Sequence, residues 1–277
     1  MRCVLLAALL ASAALAPGAR AELRPKWEAG AGATGLRLPD YRGSDETREY
    51  VFPLPYFVYR GQYMRFDREG LRGVLHESDR VEFDLSVAGS LPVKSDRNRA
   101  RAGMPDLDPA LEIGPKLNVT LWRDRPKEQR LDLRFALRGV VATDLSHAKD
   151  AGYVFHPHLY FDSRPAFLGG KWDFSAQLGP LYGSERYHQY YYGVAPQFAT
   201  PERPAFEASA GYSGLVSGAA LTRRFGKLWV GGFARYDALD GAVFESSPLF
   251  RRRQYVAAGV AVAWVFAESK DRVEVDD

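Results

Sequence analysis

The residues that could do chemistry in this chain are few and scattered. Its five histidines are His76, His147, His156, His158 and His188. His156 and His158 stand two apart, so on an extended strand both rings share one face, a spacing able to hold a metal. No third ligand is near them, and both alternate with apolar residues as the polar face of a strand does. No metal site is expected. Serines are plentiful, yet none sits in a nucleophile-elbow motif, and His188, beside Tyr187 and Glu185, reads as a loop histidine. No catalytic residue is assigned and no enzymatic activity is expected. Gly30-Ala-Gly-Ala-Thr-Gly35 fits G-x-G-x-x-G, but a dinucleotide site needs a buried strand before it and a helix after it. The flanks LRPKWEA and LRLPDYRGSD supply neither, so no cofactor is expected.

Two groupings carry more information. Tyr182, Tyr187, Tyr190, Tyr191 and Tyr192 crowd one short stretch together with Glu185, Arg186 and Gln189. Each phenol is amphipathic, comfortable where one end is apolar and the other wet. The second grouping is cationic: Arg97, Arg99 and Arg101 in one polar stretch, and Arg251, Arg252 and Arg253 in another. Guanidinium groups at such spacing suit phosphates, such as those of lipopolysaccharide; the alternative is a solvated loop that merely favours an anionic surface.

The elements that would position these residues are strands. Trp172, Phe174, Ala176, Leu178, Pro180 and Tyr182 alternate with Lys171, Asp173, Ser175 and Gln177. Leu131, Leu133, Phe135 and Leu137 alternate with Arg130, Asp132, Arg134 and Arg138, and Val81, Phe83, Leu85 and Val87 with Glu82, Asp84 and Ser86. A period of two is the signature of a strand with one apolar and one polar face. The runs last about 9 to 13 residues, longer than a common globular strand and matched to a tilted membrane crossing. Helical periodicity is hard to find, and no internal segment reads as a membrane helix.

Before these strands, Met1-Arg2 and the uncharged run Cys3–Ala16 lead to Ala19-Arg20-Ala21, the pattern of a secretory signal peptide over residues 1–21 cut between Ala21 and Glu22. That segment holds the only cysteine, so residues 22–277 contain no disulfide or thiol ligand. They carry 35 basic and 34 acidic residues, which gives no electrostatic case for nucleic acid.

Short connections (123–129, 164–170, 225–227) alternate with long ones (92–109, 184–204, 238–252), as in barrels with short periplasmic turns and long external loops. The fold expected is all-β, a transmembrane antiparallel β-barrel over residues 22–266 with a periplasmic tail at 267–277. Eleven candidate strands can be placed, near 26–36, 50–60, 62–76, 80–92, 109–123, 129–143, 152–163, 171–183, 206–225, 227–238 and 253–266. A single-chain barrel with both termini on one side needs an even number. The assignments in question are 62–76, which can split near Gly70, and the N-terminal pair, where VFPLPYFVY carries two prolines; twelve strands are the first choice and ten the alternative. Tyr182 then lies in the interfacial girdle, and the tyrosines after it populate an external loop folded over the mouth. Glu82, Asp84, Lys116, Arg130, Asp132, Arg134, Arg138 and Asp173 point inward, where opposite charges pair and leave a closed or narrow pore; an open channel is the alternative. The last strand ends on Trp264 and Phe266, which resembles the signal that directs outer-membrane barrels to insertion.

Taken in order, YRGSDE (Tyr41–Glu46), PLPYFVYRG (Pro53–Gly61), GMPDLD (Gly103–Asp108), GPLYGSERYHQYYYGV (Gly179–Val194), FARYDALDGAVFESSPL (Phe233–Leu249) and AAGVAVAWVF (Ala257–Phe266) resemble the MipA/OmpV outer-membrane proteins, also called MltA-interacting proteins. The eleven-residue tail after Phe266 departs from that pattern. The resemblance implies an integral outer-membrane barrel in contact with lipid and lipopolysaccharide. It further implies a scaffold that brings a lytic transglycosylase together with a penicillin-binding murein synthase. A narrow transport channel and a surface antigen or adhesin are the alternatives. A soluble lipocalin-like barrel, burying the apolar faces inside, is the structural competitor.

Overall fold

The computed structural model describes residues 22–67, 70–144, 146–167 and 169–275. Residues 1–21, with the expected signal peptide and Ala21, lie outside them, and Glu22 opens the first strand. The strands in chain order are β1 (Glu22–Pro25), β2 (Trp27–Pro39), β3 (Thr47–Arg60), β4 (Met64–Asp67), β5 (Gly70–Glu77), β6 (Val81–Ser90), β7 (Ala110–Asp124), β8 (Gln129–Thr143), β9 (Ala148–Ser163), β10 (Ala166–Phe167), β11 (Gly170–Lys171), β12 (Asp173–Gly183), β13 (Gly211–Phe225), β14 (Leu228–Ala238), β15 (Gln254–Glu268) and β16 (Arg272–Val275). One α-helix, α1 (Glu185–Tyr192), interrupts them.

β2–β9 and β12–β15 form a closed antiparallel barrel of twelve strands, β15 returning to pair with β2. The twelfth strand comes from 62–76, which divides at Gly70 into the short hairpin β4–β5. No described helix is long and apolar enough to cross a membrane; the crossing is made with strands. Rows of Leu, Val and Phe face outward: Leu137, Leu159, Leu178, Val260 and Phe266 are all exposed. Their opposite faces carry Asp84, Asp132, Arg134 and His158, all buried. This is inverted relative to a soluble barrel, and removes the lipocalin-like reading, because apolar rows on the outside need a hydrocarbon solvent.

The barrel curls tightly where inward positions lack a side chain. A Cβ built at Gly32 would lie 1.8 Å from the Val262 carbonyl oxygen, so only glycine admits β15 that close. The chain ends also differ from the expected boundaries. β15 runs past Phe266 to Glu268, which pairs with Glu28, and residues 22–25 leave the barrel to pair with 272–275 as the two-stranded sheet β1–β16. Tail and N-terminal segment thus form one clasp, because backbone donors and acceptors on each find their partners in the other.

Candidate functional site: a charged vestibule beneath a tyrosine cap

The tyrosine stretch is helical where the sequence suggested a loop. Ser184 caps α1, its Oγ accepting from the Tyr187 N–H at 3.3 Å and from the Tyr153 N–H at 3.0 Å, which ties the helix to the rim of β9. The helix lies over the barrel mouth, and its phenols find partners in the other external loops. Tyr190 donates to the Asp108 carbonyl at 3.0 Å and Tyr192 to the Arg42 carbonyl at 2.9 Å; Tyr191 meets Ser90 Oγ at 3.3 Å. Tyr41 donates to the Leu249 carbonyl at 2.8 Å. Tyr192, Phe244 and Tyr41 form one buried cluster with Val93, Leu107 and Ala242, so loops 40–46, 91–109, 184–210 and 239–253 pack as a single cap. Burial pushes the Tyr41, Tyr187 and Tyr192 phenols upward, keeping them neutral.

His188 is fully buried in this cap. Its Nδ1 donates to the Ser209 carbonyl at 2.6 Å, which leaves Nε2 to accept from the Ser213 hydroxyl at 2.5 Å. Both bonds suit the neutral ring, and burial, helped by the Arg42 charge, holds its pKa below the usual histidine value. Without access to solvent or a third partner, the Ser213–His188 pair is a packing element. Beneath it Asp237 accepts from Arg42 Nε at 2.7 Å, Arg235 Nε at 2.6 Å and the Tyr255 hydroxyl at 2.7 Å, anchoring the cap to β14 and β15.

Below the cap one side of the lumen is filled with paired charge. Lys116 meets Asp84 at 3.2 Å, and Asp84 also accepts from Asn118 at 3.0 Å. Asp132 lies between Arg130 (3.2 Å) and Arg134 (3.1 Å), and the Arg134 guanidinium sits 3.5 Å from the Tyr160 ring centroid. Arg138 pairs with Glu112 at 3.0 Å and Arg164 with Asp173 at 2.8 Å. Such pairs roughly offset their own desolvation cost, so they fill and order the interior more than they stabilise it. His156 and His158 stack at 4.2 Å on this wall, and among the described residues no group of three metal-binding side chains converges.

The inner end is open. A cavity of about 1260 Å³ is lined by charged residues including Arg60, Arg123, Arg130, Asp173 and Arg224. Glu28 is buried at its wall, bonded to Arg60 at 2.8 Å and to Arg224. The β1–β16 clasp frames one side, Lys26 and Ser269 joining it to the barrel through backbone bonds to Asp271 and Trp27.

The residues named from sequence lie on both the membrane face and the rim of the barrel. Tyr182 points outward beside Phe155 and Tyr212. Trp264 and Phe266 are exposed on the membrane face of β15. Arg97, Arg99, Arg251, Arg252 and Arg253 are exposed at the outer rim. Arg101 corrects the expectation: it is 3% exposed and turned inward, donating to Ser95 Oγ and to the Pro105 and Tyr191 carbonyls, so it does not reach lipid. Its guanidinium supplies the donors that a buried loop backbone needs. The Arg42–Asp237–Tyr255 node and the clasp were not foreseen, since both join residues far apart in the chain. For α1 the available signal was Ser184 followed by Glu185, too little in an eight-residue element without an apolar stripe.

An outward apolar band, a charged interior and a closed antiparallel ring define an integral outer-membrane β-barrel. Comparison with known proteins agrees: a family model described as MltA-interacting protein MipA matches residues 31–266, and the chain belongs to that family. No curated protein matches the chain. Among solved structures it is similar to the β-domain of the Bordetella autotransporter BrkA, at 12% identity over 87% of this chain and 100% of that one with a TM-score of 0.42. It is also similar to a bacterial polysaccharide outer-membrane secretin, at 10% identity over 87% and 99% with a TM-score of 0.38.

Proposed function

We propose that this barrel is a non-enzymatic scaffold for peptidoglycan remodelling, which holds a lytic transglycosylase and a penicillin-binding murein synthase at its periplasmic end. The observation that carries the reading is the barrel's polarity. Its outer mouth is occupied by four interlocked loops, whereas its inner end opens as a charged vestibule beside the β1–β16 clasp. The family description, an MltA-interacting protein, supports a protein partner. On the periplasmic side that partner would meet the clasp, the 125–128 turn and the β10–β11 hairpin. In the same reading the exposed arginines of the outer rim hold lipopolysaccharide phosphates and fix the barrel's depth.

The test is deletion of residues 270–277. β15 then keeps its pairing with β2 through Glu268, so insertion is spared, while β1 loses its partner. Cross-linking in the intact envelope is expected to lose both murein enzymes from the captured material. Undiminished capture of both from the deletion variant, and from a second with the 125–128 turn replaced by Gly-Ser, overturns the proposal.

A further inference from the structure

The ring of strands closes at its inner end only. β3 pairs with β2 along its whole length, from Thr47↔Pro39 to Tyr59↔Trp27. On its other edge it meets β4 at just two positions, Tyr59↔Phe66 and Arg60↔Arg65. Among the described residues no strand pairs with that edge above Tyr59. β4 has four residues, and β5 pairs with β6 only as far as Arg72↔Ser86. Toward the outer end the wall therefore lacks two strands, a width of about 10 Å. Arg48 closes the top by donating to the Arg97 carbonyl, and the Tyr59–Phe66 pair closes the bottom.

The sequence keeps this window from being filled by a strand. Arg60 N–H donates to the carbonyl of Lys26, the residue before β2, and Gly61 N–H to that of Met64 on β4, so the even-numbered residues of β3 bond toward β2 and the odd-numbered ones face the window. Pro53 and Pro55 are odd-numbered. Each removes a donor from the free edge, the standard protection of an edge strand against pairing. An incoming strand would meet two missing donors in succession.

Both faces of the free strand are apolar. Outward lie Val51, Pro53, Pro55 and Phe57, and a groove of about 540 Å³ runs below them between Phe57, Tyr59, Met64 and Phe66. Inward lie Tyr50, Phe52 and Leu54, where other strands put charges. Phe52 is 38% exposed although it faces the lumen. Across β2 and β15 this inner face continues to Phe233, 40% exposed, whose ring and Leu36 both crowd the place a Cβ would take on Gly259. The lumen thus has one ionic wall and one hydrocarbon-like wall, and the second reaches the membrane through the window.

We infer that the window is a lateral entry for one hydrocarbon chain of a membrane amphiphile, which passes the edge of β3 from the bilayer and lies on Phe52, Leu54 and Phe233. Water gains nothing on these rings, a strand is refused by the prolines, and a chain about 5 Å across fits a gap of about 10 Å. The inference is independent of the scaffold reading, since it concerns the outer half of the barrel and no protein partner.

Nitroxide accessibility tests it, in the full chain carrying Cys3→Ser so that each new cysteine is unique. The labelled sites are Phe52→Cys and Phe233→Cys on the proposed seat, Phe57→Cys on the outer face, and Thr222→Cys at the vestibule. Folding is checked by heat modifiability before reconstitution in phospholipid vesicles. Collisions with dissolved oxygen, which enters hydrocarbon, are compared with collisions with a nickel chelate, which stays in water. The labels at 52 and 233 should match the one at 57 and exceed the one at 222 by about tenfold in oxygen-to-chelate ratio. Labels that follow position 222, or are shielded from both reagents, overturn the inference. If Phe52→Cys does not fold, Leu54→Cys, on the same face, replaces it with the same criterion.

Discussion

The Tyr192 ring lies flat on that of Phe244, their centroids 3.7 Å apart and their planes within 7°. The first ends α1 and the second sits in the loop between β14 and β15, so one stacked pair joins two of the four loops that cover the mouth. Both side chains are essentially without solvent contact. A buried aromatic pair gains more than its area alone, and removal of either ring opens a cavity the neighbours cannot fill.

Phe244→Ala should therefore cost the cap about 3–5 kcal/mol. The expected readout is loss of amide protection across Glu185–Tyr192, with the barrel strands unaffected. In planar bilayers the unsubstituted protein should give no steady single-channel steps, because Tyr192 and Phe244 seal the mouth above a lumen that ion pairs narrow from one side. Steps that appear in Phe244→Ala but not in the parent protein would match the cap's role as a seal. Steady conductance in the parent would contradict it.

Acid should loosen the same cap through His188. Its ring is neutral when folded, with a pKa below the unfolded histidine value of about 6.5. Between that value and the lowered one, the unfolded cap binds a proton that the folded cap does not, so stability falls as pH falls. The contribution is complete above about pH 6.5 and is lost progressively below it. Protease nicking in the 184–210 loop should rise between pH 7 and pH 5, and His188→Asn should flatten that dependence. A parallel rise in the variant would assign the effect to other groups.

Glu28 offers a check on the inner end. It is 3% exposed and holds both Arg60 and Arg224. Glu28→Gln takes the carboxylate from Arg60 and leaves Arg224 only its 3.3 Å contact with Glu268, at a cost of about 3 kcal/mol, tempered by the partial hydration of both arginines. The temperature at which the folded band converts to the unfolded one in detergent gels should drop. The double variant Glu28→Gln/Arg224→Gln should recover part of the loss, and failure to do so would mean the carboxylate acts alone.

Replacing Pro53 and Pro55 with valine restores two N–H donors to the free edge of β3. Copies should then associate edge to edge, seen as a larger cross-linked dimer fraction in detergent than the parent protein gives. An unchanged fraction would mean that something other than the missing donors guards the edge.

Much of this protein follows from local pattern. Alternation such as Leu131-Asp132-Leu133-Arg134 fixes which side chains meet lipid and which meet the lumen, because successive side chains on a strand point to opposite faces. It also gives the strand count once Gly70 is allowed to break 62–76, since a barrel with both ends on one side needs an even number. The prolines at 53 and 55 put the N-terminal strand pair in question from sequence, but their place on a free edge comes only with the structure. Which edge is free, and that it opens on an apolar lumen wall, depends on how far β4 and β5 climb beside β3, a matter of register and length that periodicity does not contain. The same holds for Arg101. Its neighbours Arg97 and Arg99 look equivalent in sequence, yet it turns inward because the Tyr191 and Pro105 carbonyls need donors there. Local alternation is set by backbone geometry; the cap, the clasp and the window are set by which distant backbone and polar groups find partners, and only the assembled chain decides that.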